Sequence, residues 1–380
     1  MFSNRLRWDA ATNPLAAVVA EKRCAGAEVL DLTLSNPTRA GFEYPNAEIV
    51  AALSRERLLT YEPQPRGLLE AREAVAVWYG MRAIVADPSR ILLTASTSEA
   101  YAYLFKLLAD PGDEVLTPRP SYPLFEYLAA LESVEVRQYP LRYDGAWHVD
   151  FEALERAITP RTRAIVVVSP NNPTGSVLAA EDVEKLDSLA AARGLAIISD
   201  EVFADYTFRG GHPTLIGDRR ALTFSLNGLS KSAGLPQLKL GWIVGSGPGR
   251  DEALERLDWI ADTYLSVSAP VQAALPRILA SAWKVQSQIL KRAKENLAAL
   301  EGSLADSPFQ VRHTEGGWSA VLQIPRSRTE EQWTLDLLRE QNVLVQPGFF
   351  YDFEAEAYLV VSLLTPRPDL LEGIRRLKIL

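Results

Sequence analysis

Between residues 90 and 245, short β-branched or aliphatic runs alternate with longer stretches of helical periodicity, an alternation that confines the chain to few architectures. Such a repeat closes into a parallel sheet with crossover helices, so the expected fold class is α/β. The expected strands are Arg90–Thr94, Asp113–Thr117, Ser133–Arg137, Ala164–Val168, Leu195–Ser199, Ala221–Ser225 and Leu240–Val244. Between them Thr97–Ala109, Tyr122–Leu131 and Glu181–Arg193 set apolar residues at helical spacing.

Past this region the pattern changes. Residues 248 to 303 read as long helices, with Pro248 and Pro270 as start or kink signals. Trp318–Ile324, Val343–Gln346 and Tyr358–Leu364 then read as strands, with helices near Glu330–Gln341 and Pro368–Leu377, which is a smaller α+β pattern. The helical segment Pro14–Gly26 is expected to join that unit. The expected organisation is residues 1–40 as an N-terminal arm and part of the small domain, 41–268 as the large domain and 269–380 as the small C-terminal domain.

A chain of 380 residues, 47% hydrophobic and 23% charged, has ample material for such cores and is no candidate for extended disorder. Its net charge of −8 gives no electrostatic footprint for nucleic acid. One cysteine, Cys24, allows no intrachain disulfide, and His148, His212 and His313 lack metal-ligand spacing, so no metal is expected. The start is polar and no segment is long and apolar enough to cross a bilayer; the expectation is a cytoplasmic protein without a membrane partner.

Four segments follow expected strands, at the sheet edge where open α/β folds bind ligands. After Thr94 come Ser96, Thr97 and Ser98 at a helix start, where backbone N–H groups favour an anion. After Val168 comes Ser169-Pro-Asn-Asn172-Pro-Thr-Gly175, a turn that can project the Asn172 amide. Asp200 ends the next strand, and Lys231 lies among small residues in Gly228-Leu-Ser-Lys-Ser-Ala-Gly234, where desolvation would make an amine nucleophilic. Singly each has an ordinary reading: a helix cap, a turn, a cap for the next helix, a surface lysine. Their order carries more weight, with 28 residues from Asn172 to Asp200 and 31 from Asp200 to Lys231, each about one β-α-β unit.

With these segments, and with Leu30–Pro37, Tyr61–Gly67, Pro120–Pro123, Lys239–Gly241 and Gln346–Gly348, nearly the whole chain resembles the fold type I pyridoxal 5′-phosphate enzymes, most closely the class I/II aminotransferases. The resemblance implies an aspartate aminotransferase-like fold: a large domain with a mostly parallel central sheet flanked by helices, plus a smaller α+β domain. It implies that Lys231 holds pyridoxal 5′-phosphate as a Schiff base and shuttles the substrate proton, and that Asp200 pairs with the ring nitrogen. Asn172 would donate to the phenolic oxygen, and Tyr122 would stack on the ring. Ser96, Thr97, Ser98, Ser230 and Lys239 would hold the phosphate, joined by Tyr61 from a neighbouring subunit of a homodimer. The implied activity is transfer of an amino group from an amino acid to a 2-oxo acid; a C–S lyase or decarboxylase of the same fold is the alternative. A regulator of this fold is not expected at a net charge of −8 without a basic recognition helix, nor an inactive scaffold with Lys231, Asp200 and Asn172 all in place.

Three positions depart from the family pattern. A tyrosine is usual where Phe203 stands, and an arginine where Lys239 stands, so the planar fork is given up there. Most sharply, the arginine that grips the substrate α-carboxylate aligns with Val360. Losing a bidentate pair in a dry site costs about 2–3 kcal/mol. Either another arginine supplies the clamp or the substrate is not an ordinary α-amino acid; for the clamp, Arg39 is the expected substitute, close to the substrate-side residues Ser35 and Asn36 in the N-terminal loop, with Arg66 a weaker candidate. The run Pro347–Tyr351 is expected to wall the pocket.

Overall fold

Within each long strand, neighbouring residues leave for opposite faces, and the chain uses both faces for core. In the computed structural model, which describes residues 2–6, 13–54 and 60–380, Leu92 packs on one side of the main sheet and Ile91 and Leu93 on the other. Residues 1 and 7–9 of the polar start lie outside the described residues.

The main sheet has eight strands in the order Ile91–Thr94, Gly241–Ser246, Thr223–Gly228, Ala196–Asp200, Thr162–Val168, Glu114–Arg119, Glu135–Tyr143 and Trp147–Val149. Pairing is parallel from Thr223–Gly228 through Glu135–Tyr143. Gly241–Ser246 runs antiparallel to both its neighbours, so the sheet is mostly rather than wholly parallel. Trp147–Val149, unforeseen in the sequence, is a three-residue return strand paired antiparallel to Leu141–Tyr143.

On one face Leu92, Val115, Val166, Ile198 and Phe224 meet helices Thr97–Leu108 and Arg250–Tyr264. On the other, Leu116, Ile165 and Ile197 pack under Ala180–Arg193, while Leu93, Trp242 and Val244 pack under Leu69–Gly80 and Ala269–Ser281. Fully burying an aliphatic side chain contributes about 1.5–3 kcal/mol, so this two-sided burial anchors the strand ends that carry the site.

A second, antiparallel sheet has the order Gln310–Val311, Ser319–Gln323, Tyr358–Ser362, Gln346–Pro347. Helices Trp283–Leu304, Glu330–Gln341 and Arg367–Leu377 bury its other side through Leu300, Leu337 and Ile374. The stretch expected as one strand, Val343–Gln346, divides: Val343–Leu344 pairs in parallel with Leu30–Asp31, and Gln346–Pro347 pairs with Tyr358–Ser362. Helix Pro14–Cys24 sets Leu15 and Val18 against Leu338, and Lys22 Nζ donates to the Arg339 carbonyl at 2.6 Å.

Candidate active site

The carboxyl ends of the parallel strands open into a cavity of about 510 Å³, whose lining includes Ser319, Gln346, Val360 and Ser362 of the small sheet. That volume lies within the usual range for a small-molecule site. Ser96, Thr97, Ser98, Tyr122, Asn172, Asp200, Ser230, Lys231 and Lys239 all line it, so segments spread over 143 residues of sequence, from Ser96 to Lys239, converge.

Asp200 ends its strand as a buried carboxylate. Tyr101 Oη donates to its Oδ2 at 3.0 Å, and the Val202 N–H donates to its Oδ1 at 3.1 Å. Burial pushes its pKa up to about 6; the two hydrogen bonds and the charge of Lys231 act the other way. Lys231 sits in the one-turn helix Leu229–Ser232, just after strand Thr223–Gly228. Tyr206 Oη donates to the Lys231 carbonyl at 2.7 Å, and Gln286 Nε2 to the Ser232 carbonyl at 2.5 Å, which fixes the turn. Its Nζ lies 4.8 Å from the Trp318 ring centre and 5.4 Å from that of Phe203. Burial brings its pKa down to about 8, opposed by the charge of Asp200. A carboxylate raised and an amine lowered in one cleft are the perturbations expected of reactive groups.

At one end of the cavity, helix Thr97–Leu108 begins. Ser96 is its cap and accepts from the Glu99 N–H at 3.2 Å, while Thr94 Oγ1 donates to the Ser96 carbonyl at 2.9 Å. The N–H groups of Thr97 and Ser98 have no acceptor among the described residues, leaving a donor pair at the positive end of a three-turn helix. The strand behind approaches closely: a Cβ on Gly241 would come within 3.2 Å of Ser96 C and of Thr94 Oγ1. Lys239, exposed and at φ +49°, has no ion-pair partner among the described residues. Together these groups form an anion cradle.

Asn172 accepts from Ser319 Oγ at 3.4 Å, which ties the turn after Val168 to the small sheet. Tyr122 is 47% exposed at the cavity rim. Phe203 stands edge-on to Trp318, with ring centres 5.4 Å apart, and Trp318 also meets Tyr206 at 5.1 Å. Sequence reasoning missed Trp318, although it follows Gly316-Gly317, where a Cβ on Gly316 would lie 2.8 Å from the Tyr206 carbonyl. Two glycines that let backbone pass under an aromatic residue were the available signal.

Several expected contacts are not made. Arg39 is exposed at the end of the turn Pro37–Arg39 and does not line the cavity. Asn36 caps that turn, accepting from the Thr38 N–H at 3.0 Å and Thr38 Oγ1 at 2.7 Å; Ser35 alone of the three reaches the cavity. Arg66 forks onto Asp258, at 2.7 Å from Nε and 2.8 Å from Nη2, and is unavailable as a clamp. Tyr61, 79% exposed, borders a separate depression with Ser266 and Gln272. Val360 lines the cavity as expected, packed with Val321 and Tyr351. Of the Pro347–Tyr351 run, only Tyr351 lines it. Among the described residues the cavity lining holds no arginine.

The family model for aminotransferase class I and II matches residues 28–377. Over 373 residues the chain is 26% identical to a glutamate-pyruvate aminotransferase of Haemophilus influenzae, covering 93% of this chain and 90% of that protein. It is 29% identical to an alanine aminotransferase of Mycobacterium bovis, covering 96% and 88% respectively. Its fold superposes on the alanine aminotransferase of Pyrococcus furiosus with a TM-score of 0.90 at 25% identity, over 100% of this chain and 99% of that one. The chain therefore belongs to the class I and II aminotransferases, transaminases that depend on pyridoxal phosphate and act on amino acids and 2-oxo acids.

Proposed function

We propose that Lys231 and Asp200 are the catalytic pair of this aminotransferase, with Asn172, Tyr122 and the Ser96–Ser98 cradle positioning the cofactor between them. The observation that carries this reading is the joint one of geometry and charge: both side chains line one cavity, with pKa values moved towards each other. The residues suit the cofactor, because the cradle offers two unpaired N–H groups and a free lysine to a phosphate, and Asp200 offers a buried carboxylate to a ring nitrogen. Bound pyridoxal phosphate supplies an aldehyde for amine exchange and a ring that draws electrons from the substrate's α-carbon. Asp200 holds a proton at the ring nitrogen, supported by Tyr101 Oη. Lys231 Nζ, depressed towards neutrality, would serve as the base that takes the proton from the substrate's α-carbon and as the acid that gives it up again. Lys239 would offset the charge of the phosphate and Ser230 would donate a hydrogen bond to it, while the aromatic pair Phe203 and Trp318 would exclude water from the amine.

Tyr61 supports a homodimer, since its exposed ring borders a depression separate from its own subunit's cavity, as a residue that serves a second copy would. Helix Ala269–Ser281 packs in the core of the large sheet, which supports a domain boundary near Ala282 rather than residue 268. Helix Pro14–Cys24 and strand Leu30–Asp31 pack with the small domain, through Leu15, Val18 and Leu30, whereas Arg5 donates to the Leu131 carbonyl of a large-sheet helix, which supports only part of residues 1–40 as small domain.

The test is to add single L-amino acids to the loaded protein and follow the cofactor's absorbance. Conversion to the amine form with release of a 2-oxo acid, reversed by adding a second 2-oxo acid, is expected, and Lys231→Ala should abolish it. Release of ammonia and pyruvate without that conversion would instead identify a β-lyase. Sedimentation velocity decides the dimer.

A further inference from the structure

An antiparallel sheet sends residues that stand directly opposite each other to the same side. Val360 stands opposite Val321 on one neighbour strand and opposite Gln346 on the other, and Ser319 stands opposite Ser362 one row along. Ser319, Ser362, Gln346 and Val360 all line the cavity, so the sheet face above Lys231 carries two hydroxyls, an amide and methyl groups, with no cation. Of the polar groups, Ser362 Oγ is engaged, donating to the Leu34 carbonyl at 2.5 Å and accepting from the Leu364 N–H at 3.0 Å. Ser319 Oγ is directed to Asn172. Gln346 differs: its Oε1 accepts from Tyr351 Oη, and its Nε2 has no partner among the described residues.

We propose that Gln346, oriented by Tyr351, receives the substrate carboxylate in place of a guanidinium, donating from Nε2 to a carboxylate oxygen beside the methyl groups of Val360. This rests on the aminotransferase reading of the site. Three facts converge on it. Gln346 is the cross-strand neighbour of Val360, where an arginine is missing; with its Oε1 accepting from the Tyr351 hydroxyl, its Nε2 is left as a donor; and neither Arg39 nor Arg66 reaches the cavity. A single neutral amide replaces a charged fork, so affinity for the carboxylate rests on one oriented donor and on the exclusion of water by Val360, Val361 and Trp318.

The experiment compares, in the holoenzyme, kcat/KM for the best L-amino acid with that for the primary amine lacking its carboxylate. In parallel, calorimetry measures binding of the corresponding 2-oxo acid to the pyridoxal form, with which it does not react. Gln346→Ala should reduce the preference for the amino acid roughly 10- to 100-fold, with the loss in KM, and weaken the 2-oxo acid by a similar factor. Gln346→Glu, which sets like charge against the carboxylate, should reverse the preference. Tyr351→Phe should give a smaller loss in the same direction. The proposal is overturned if Gln346→Ala slows amine and amino acid equally, which marks a structural role. It is overturned equally if no variant changes the preference, which marks a clamp from the partner subunit, or if the wild type prefers the amine. A wild type that converts no amino donor would sink the aminotransferase reading, and calorimetry with the 2-oxo acid would still decide the role of Gln346.

Discussion

Tyr101 Oη donates a 3.0 Å hydrogen bond to Asp200 Oδ2 from a ring that is itself buried between Phe105 and Phe125. A phenol held there stabilises the ionised carboxyl against a burial that disfavours it, and its own pKa is driven well up by burial and by that charge. Tyr101→Phe keeps the ring and deletes the donor. The Asp200 pKa should rise further above about 6, and the half-saturating concentration of pyridoxal phosphate at pH 7 should increase roughly 10-fold, the value of one hydrogen bond to a charged group. Cofactor titration followed by absorbance, repeated from pH 5 to 8, measures both; an unchanged pH profile would leave Tyr101 a packing residue.

The sign of the Asp200 shift fixes a second outcome. A carboxyl raised from 3.8 to about 6 on folding contributes stability that is present below its unfolded pKa and is lost as pH rises through its folded one. At pH 7 the buried charge therefore costs the cofactor-free protein about 2–3 kcal/mol. Asp200→Asn should make the cofactor-free protein more stable than wild type at pH 7 and bring the two together near pH 4. Urea unfolding at both values checks this, and the same variant should bind and use pyridoxal phosphate poorly.

Lys231 titrates in the opposite sense. Its amine falls from 10.5 to about 8, so the stability linked to it is present above the unfolded value and lost as pH falls through about 8. In the cofactor-free protein the rate of Lys231 modification by an amine-selective acylating reagent, read by peptide mass spectrometry, should reach half its plateau near pH 8. Asp200→Asn removes the one charge that supports the ammonium form, so the midpoint should move lower still. A midpoint near 10.5 would mean a solvated lysine.

What was legible in the sequence was local. Asp200 ends a strand, Ser96, Asn172 and Lys231 each follow one within a few residues, and their turn and cap chemistry is written in adjacent letters. Gln346 was not legible, because its place in the cavity depends on the register of a sheet assembled from distant segments, and Trp318 left only the Gly316-Gly317 pair before it as a signal. The direction of Gly241–Ser246 was hidden for a similar reason: an aliphatic run is the same whether it pairs parallel or antiparallel. Arg39 misled because proximity in sequence to Ser35 says nothing of rotation; three residues along a tight turn point its side chain to solvent.

Gly175 closes the Asn172 turn at φ +68°, and a Cβ there would lie 2.4 Å from the Gly316 carbonyl oxygen and 2.5 Å from Thr314 Cγ2. The Gly175 carbonyl accepts from the Glu315 N–H at 3.1 Å, so the turn and the loop preceding Trp318 are one unit. Gly175→Ala must part them, at a cost of about 1–3 kcal/mol from left-handed strain and displaced backbone. Because Asn172 and Trp318 sit at either end of this contact, kcat should fall together with melting temperature. Gly194→Ala, also at φ +62° but with nothing near its Cβ, should lower stability and leave kcat at the wild-type value.

Asp205 fastens the Lys231 turn from behind. Arg82 pairs with its Oδ1 at 2.5 Å while stacked 3.8 Å over Trp78, and Gln286 Nε2 bridges its Oδ2, at 3.0 Å, to the Ser232 carbonyl. Arg82 is 28% exposed and Asp205 6%, so deleting the carboxylate strands a guanidinium that water reaches only in part. Asp205→Ala should cost about 2–4 kcal/mol. Arg82→Ala leaves the more deeply buried carboxylate unpaired, and burial already raises its pKa. That variant should recover part of its lost stability as pH falls from 7 to 5, since protonation removes the stranded charge, whereas Asp205→Ala should not. Urea midpoints at the two pH values separate the pair, and equal pH responses would show that the link through Gln286, rather than the ion pair, holds the Lys231 turn in place.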